Sequence, residues 1–401
     1  MKNKLINKKG ITLIALVITI IVLLILAGIS ISMLAGNNGI LTKATDAKRR
    51  TEQGERDERD KLLSQEALIN EYGSTLSSSE IKTKTNNKIE NASDNTISEI
   101  KVFGEGASAQ YLPIPAGFTY KEGTIDTGAV VIDKNGNEFV WVPVDTSDTT
   151  YPMFTKTVEG DTATYTAKLW DWNSATVTIS EGTGTISTLN AMSTSYKEPQ
   201  VAPNGSNTND NVPAEYNAMA KSVEIYKGFY VGRYETGIEG TKAVSKNAYK
   251  TEGVTTADAS ATSANQWYGL YTIQKNMSQD NGLNSVQSSM IWGSQYDAMM
   301  YWMTKTGNKI TNSNYKDDGE KRNTNTKTYE KTGSLETDKI NNIYDLYGVH
   351  SEWTLEAKVP FARVSRGGNY NNSESPAFRG NYGPTYTPGV ILSSRLTLYI
   401  K

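Results

Sequence analysis

The sequence has no cysteine and one histidine, His350. The first absence excludes a disulfide framework, a thiolate zinc or iron–sulfur site and a cysteine nucleophile, whatever the fold. The second excludes a metal site built from several imidazoles. Proline is missing before Pro113, and neither sign of charge dominates: 41 Lys and Arg stand against 43 Asp and Glu, a net charge of −2. That balance argues against a chain that coats nucleic acid through a general basic field, and no nucleic-acid partner is expected. Hydrophobic residues are few, at 37%, whereas tyrosine (23) and glycine (33) are plentiful, which points to a turn-rich β-containing structure in the soluble part. A chain of 401 residues is expected to divide into two or three units.

The aliphatic residues are gathered in one uncharged run, residues 11–34, ITLIALVITIIVLLILAGISISML. As a helix rising about 1.5 Å per residue, such a run spans a hydrocarbon core of about 30 Å. Lys2, Lys4, Lys8 and Lys9 precede it, and the first cation after it is Lys43. The positive-inside rule then puts the N-terminus in the cytoplasm and the C-terminal domain outside, a single-pass cell-membrane protein. The boundary Lys8-Lys9-Gly10-Ile11 resembles a type IV prepilin leader, in which a prepilin peptidase cuts after the glycine. The resemblance implies processing at Gly10, a methylated Ile11, other pilin-like subunits as partners and a pilus-like filament as destination. Where that family carries Glu at the fifth mature position this chain has Ala15, so the charge that would compensate a neighbouring α-amino group is missing. The other reading of the same residues is a plain single-pass signal anchor.

Residues 1–10 thus read as a leader and 11–72 as a transmembrane, pilin-like helix and stalk. Asp46/Arg50, Glu52/Arg56, Glu55/Arg59 and Asp57/Lys61, acid-then-base pairs one helical turn apart, support the solvated part of that helix. Residues 73–102, poor in buriable groups, read as a Ser/Thr/Asn-rich linker. Beyond them Phe139-Val140-Trp141-Val142-Pro143-Val144 is an apolar strand preceded by an Asn135-Gly136 hairpin signal, and residues 228–235 form a second strand. Between the two, residues 145–222 read as a polar insertion with a strand around 168–179. The spacing of Tyr296, Met299, Met300 and Met303 behind a Ser294 cap predicts the one good helix of this part.

Three stretches come last in the chain: residues 342–354, NIYDLYGVHSEWT; residues 363–370, RVSRGGNY; and residues 394–399, SRLTLY. Their order, with the two strands and the helix above, resembles the formylglycine-generating-enzyme-like (sulfatase-modifying factor) domain of C-type-lectin-like fold, over about residues 114–401. The fold class expected is therefore α+β: a long N-terminal transmembrane, pilin-like helix followed by a C-type-lectin-like domain over residues 103–401. The enzymes of that family act through a copper-binding cysteine pair, which falls here at about Asn372 and Ala377, so the resemblance carries the scaffold without the reaction. The family's loop can hold calcium, which carries over to the side chains of Asp345 and Glu352 with the carbonyls of Gly348 and His350. The other reading has those carboxylates accepting backbone hydrogen bonds and His350 structural. No other cofactor is expected.

The tail that follows is rich in Asn, Tyr, Ser, Thr and Gly, the composition of a recognition surface. Candidate ligand-binding residues are Asn369, Tyr370, Asn371, Asn372, Phe378, Arg379, Asn381, Tyr382, Thr385 and Tyr386. The segment resembles the variable region of proteins diversified by retroelements; the alternative is an ordinary loop region held by Arg366 and Arg395. The function expected is a non-catalytic, surface-displayed adhesion or ligand-binding protein that takes an extracellular protein or glycan. The alternative is a minor pilin or pseudopilin acting in filament assembly or DNA uptake.

Overall fold

The computed structural model describes residues 18, 20–22, 96–198, 212–247, 267–308, 310–311, 331–333, 336–348, 350–358, 362–369, 374–383 and 392–401. The chain divides into two units, Met1–Asn70 and Glu71–Lys401. In the first, Ile18 and residues 20–22 are helical and exposed. The cleavage site at Gly10 and Ile11, the stalk and the linker up to residue 95 lie outside the described residues.

In the second unit, β-branched and aromatic runs broken by Gly and Asn fold into strands. A hairpin of β1 (Ile97–Phe103) and β2 (Gln110–Pro115) opens it, so the stretch read as linker ends in a strand. Strands β3 (Phe118–Glu122), β4 (Val130–Asp133) and β5 (Glu138–Pro143) follow as an antiparallel meander. Gly136, at φ +85°, takes the left-handed position in the turn between β4 and β5, where the Asn-Gly signal placed it. The polar insertion builds two hairpins, β6 (Phe154–Glu159) with β7 (Thr162–Ala167) and β8 (Trp170–Ser180) with β9 (Thr183–Ala191). A short β10 (Tyr196–Lys197) precedes helix α1 (Val212–Tyr226). Then come β11 (Gly228–Gly232), β12 (Gly237–Glu239), β13 (Lys242–Val244), helix α2 (Trp267–Asp280), β14 (Val286–Met290) and helix α3 (Gly293–Lys305). The chain ends with β15 (Lys339–Ile340), β16 (Ile343–Tyr344), β17 (Ser351–Lys358), β18 (Ala362–Arg366), β19 (Arg379–Tyr382), β20 (Leu392–Ser394) and β21 (Leu396–Ile400).

Two sheets organise these strands. One has the order β14-β21-β11-β5-β4-β3; the other runs β10-β17-β18-β19, with β20 parallel to β17. The apolar strand read from residues 139–144 is central in the first sheet, where Phe139, Val140, Trp141 and Val142 are buried against Phe229, Tyr230 and Val231. Tyr296, Met299, Met300 and Met303 of α3 have no exposed surface, as their spacing required. Trp172 and Leu189 of the β8–β9 hairpin join the same core, so the insertion is a packed part of the unit despite its polar composition.

The fold class expected from the sequence is corrected here. The described residues are mostly β, 46% strand against 20% helix, and no helix among them is long and apolar enough to cross a membrane. Strand gains its share because the Thr-rich residues 145–191 alternate polar and apolar groups and pair as hairpins. The one expected helix is present as α3, but α1 and α2 were missed. In α1 the buried residues Tyr216, Met219, Ala220 and Val223 do recur at helical spacing, but most of that stretch was read with the polar insertion; in α2 the aromatic and polar members Trp267, Tyr271 and Gln274 of the buried face carry a weak helical signal.

Candidate functional site

The five-stranded sheet carries two faces of opposite character. Cross-strand partners share a face and neighbours along a strand alternate. Glu352 pairs with Arg366 and Arg366 with Arg379, so these three side chains point one way. Trp353 pairs with Ser365 and Arg363 with Tyr382, so those point the other way.

On the first face the charges close on one another. Arg366 Nη1 donates to Asp297 Oδ1 of α3 at 2.9 Å, and Arg379 Nη2 donates to Asp297 Oδ2 at 2.7 Å. Arg379 Nε donates to Glu356 Oε1 at 3.0 Å, while Arg366 lies 3.8 Å from Glu356. Arg366 also stacks with its guanidinium carbon 4.4 Å from the Tyr296 ring centroid. Glu198, just after β10, caps α3 by accepting from the amides of Gly293 and Ser294. The Ser294 hydroxyl, read from the sequence as that cap, instead meets the Tyr216 hydroxyl. Burial pushes the Glu198 carboxyl up to about 8, with Glu356 adding to the rise. Gly293 is required there, since a Cβ would stand 2.5 Å from Glu356 Oε2 and 2.9 Å from Glu198 Oε1. Arg379 therefore belongs to an interior network, correcting its reading as a residue that touches an external ligand: both of its carboxylate partners are inside the protein.

A second buried cluster adjoins this one. Arg395 grips Glu352 through Nε at 2.9 Å and through a shorter contact from Nη2, and it donates to the carbonyls of Gly232 and Tyr344. His350 Nδ1 lies 3.0 Å from Glu235 Oε2, and the His350 amide donates to Glu235 Oε1 at 3.0 Å. Asp345 accepts from the Gly333 amide at 2.8 Å. Burial, then the neighbouring Asp345 and Glu352, raises the Glu235 carboxyl far above the usual carboxylate range. The calcium set carried over from the family resemblance, Asp345, Gly348, His350 and Glu352, does not fit such an ion in this arrangement. Glu352 is already neutralised by a guanidinium, whose charge would repel a second cation. Among the described residues no group of three or more His, Asp or Glu side chains is placed to share a metal.

The other face is buried as well, by aromatic rings in place of ion pairs. Trp353 is fully buried, and its indole Nε1–H meets no acceptor among the described residues. Tyr382 meets it edge-on, with ring centroids 5.9 Å apart. Gly380 makes room for that approach, because a Cβ would lie 2.6 Å from Ser365 Oγ and 2.9 Å from the Tyr382 ring. Arg363 is 4% exposed, its guanidinium carbon 4.4 Å from the Trp267 ring centroid and its Nε without an acceptor. Burial pulls the guanidinium down to about 10, and the Tyr268 hydroxyl is the group that offsets part of the fall. A desolvated cation–π contact contributes about 2 kcal/mol, whereas an ion taken out of water loses several kcal/mol, so stacking on Trp267 does not compensate the charge.

The remaining candidates are dispersed. Asn369 is buried and donates to Ser351 Oγ at 3.2 Å, bracing the turn after β18. Phe378 is half-buried; Asn381 is exposed and donates to the Tyr196 hydroxyl at 3.3 Å; Tyr382 is half-buried at the sheet edge. Tyr370, Asn371, Asn372, Thr385 and Tyr386 lie outside the described residues. Arg363, Trp353 and Trp267 were not singled out as binding residues from the sequence. No signal in it distinguishes Arg363, which meets no carboxylate among the described residues, from Arg366, which meets Asp297, beyond their odd spacing on one strand. No family model matches the chain, and neither a curated protein nor a solved structure does.

Proposed function

We propose that the second unit is a non-catalytic ligand-binding head whose recognition surface is the β19 edge of the five-stranded sheet, around Asn381 and Tyr382. One observation carries this reading: β19 is an edge strand of its sheet, and on it Asn381 is exposed and Tyr382 half-buried, with Phe378 half-buried just before it. The Asn- and Tyr-rich residues around β19 give such a surface adaptable hydrogen bonds and rigid contact area. The motif order resembling the formylglycine-generating-enzyme-like domain, with Asn372 and Ala377 in place of the cysteine pair, supports holding over transforming. Display outside the cell rests on the uncharged run of residues 11–34 and the lysines before it.

The test is a glycan and protein array probed with the full chain and with Tyr382→Ala. Specific hits that weaken in the variant while its thermal transition is kept support the head. Hits lost only when the variant unfolds count against it.

A further inference from the structure

Resting on that recognition edge, we infer that it takes an extended acidic peptide, which adds to β19 as a further strand of the sheet. The pairing with β18 fixes which way the backbone of β19 points. The Gly367 amide donates to the Phe378 carbonyl at 3.2 Å, so Phe378, Gly380 and Tyr382 turn their backbone groups toward β18, while Arg379 and Asn381 turn theirs outward. Among the described residues no main-chain group meets these outward N–H and C=O groups. Asn381 is exposed, and a Cβ on Gly383 would meet no described atom within 4 Å, so this end of the edge is open.

The other edges of the two sheets are guarded, as edges in native proteins are. Strand β3 carries exposed Lys121 and Glu122 and an irregular register between Tyr120 and Glu122. Strand β14 is covered by α2, where the Ser278 hydroxyl accepts from the Ser288 amide at 3.2 Å. The Ser394 carbonyl of β20 accepts from the Thr236 amide at 2.8 Å, and β10 is two residues long and ends in exposed Lys197. By contrast β19, Arg-Gly-Asn-Tyr, has no proline, and its one charge, Arg379, is turned inward onto Asp297 and Glu356. A peptide strand repeats donors and acceptors with the period of such an edge, which sugar hydroxyls do not. Charge completes the description of the partner. Tyr196, Lys358 and Asn381 share one face, since Tyr196 pairs with Lys358, Lys358 with Ala362, and Val364, two residues on, with Asn381. The Lys358 ammonium lies 5.4 Å from the Tyr196 ring centroid and meets no carboxylate among the described residues. An acidic side chain opposite Asn381 on the added strand would face that cation and the Asn381 amide.

The experiment titrates the full chain, at fixed ionic strength and by fluorescence anisotropy, with labelled peptides in which Val and Thr alternate and the central Thr is replaced by Asp, Asn or Lys. Binding is expected to weaken about threefold at each step from Asp to Asn to Lys, and Lys358→Gln is expected to remove that order. N-methylation of every second peptide residue deletes the N–H groups that meet β19 and is expected to weaken binding at least about tenfold, whereas methylation of the intervening residues leaves it within about twofold. Asn381→Pro deletes one outward N–H without touching the ladder to β18, and a loss of about tenfold is expected; Asn381→Ala, which keeps that N–H, is expected to lose less. Binding indifferent to the position of the methyl groups, undiminished binding by a folded Asn381→Pro, or a Lys peptide bound as tightly as the Asp peptide overturns the inference. Should Asn381→Pro not fold, the methylated peptides decide alone. If array ligands bind and weaken in Tyr382→Ala while no peptide binds, the recognition edge stands and strand addition falls. If neither peptides nor array ligands bind, both fall.

Discussion

Arg363 and Arg366 stand three residues apart on β18 and point to opposite faces of one sheet, and among the described residues Arg366 meets a carboxylate while Arg363 does not. The strand thereby separates a side held by ion pairs from one held by aromatic rings. Asp297 and Glu356 fix Arg366 and Arg379 and hold the sheet against α3, whereas Arg363 on the other side lies against the Trp267 ring of α2.

Asp297 is the hub of the ion-paired side, accepting from two arginines and from the Trp170 amide of the β8–β9 hairpin at 2.8 Å. Removing one partner of a buried ion pair strands the other charge, a loss of about 3–5 kcal/mol. Asp297→Asn is expected to lower stability by that amount in urea unfolding. A loss below about 1 kcal/mol, the worth of an exposed pair, would mean the network is solvated.

Glu198 keeps its proton in the folded chain up to about pH 8, while the unfolded chain releases it near the ordinary 4.5. A carboxyl with a raised folded value contributes stability that is present at low pH and lost as pH rises through this window. Glu352 and Glu356, also raised by burial, act in the same direction. Glu198→Gln is expected to flatten, without abolishing, the fall in unfolding free energy between about pH 5 and pH 8. An unchanged slope would place the Glu198 proton elsewhere.

Docking of the insertion on α3 depends on Gly184 of β9, where a Cβ would stand 1.9 Å from the Thr304 carbonyl oxygen. The obstacle is backbone and cannot swing aside. Gly184→Ala is expected to cost about 1–3 kcal/mol by overpacking, read from the shift in urea midpoint. A neutral substitution would show that the hairpin does not seat on the helix.

With Glu352 held by Arg395, added calcium or a chelator is expected to leave the transition temperature unchanged. Glu352→Gln, by contrast, is expected to destabilise the unit by about 3 kcal/mol or more, since Arg395 loses its counter-charge in the interior. A calcium-dependent rise of several degrees would contradict the assignment of Glu352 to Arg395.

Parts of this arrangement were legible in the sequence. The run Phe139-Val140-Trp141-Val142 announced a buried strand, Asn135-Gly136 a hairpin, and Tyr296, Met299, Met300 and Met303 a core helix, because each signal is local and periodic. Helix α2 was not legible, since Trp267, Tyr271 and Gln274 form an inward stripe only against the sheet. The site was half legible. Tyr382 followed from composition, but Arg379 was assigned to the surface because nothing local says that Asp297, far away in the chain, waits for it. Trp353 and Arg363 were noticed as parts of motifs, but that Trp267 of α2 covers Arg363 is a property of three-dimensional surroundings alone.

Hydrogen exchange on the full chain, with and without a bound array ligand, tests the central claim most directly. Protection is expected over residues 351–358, 362–366 and 379–382, the strands that carry Trp353, Arg363 and Tyr382, with little change over the β6–β7 hairpin. Protection confined to that hairpin or to residues 97–122, with the three strands unchanged, would contradict the account.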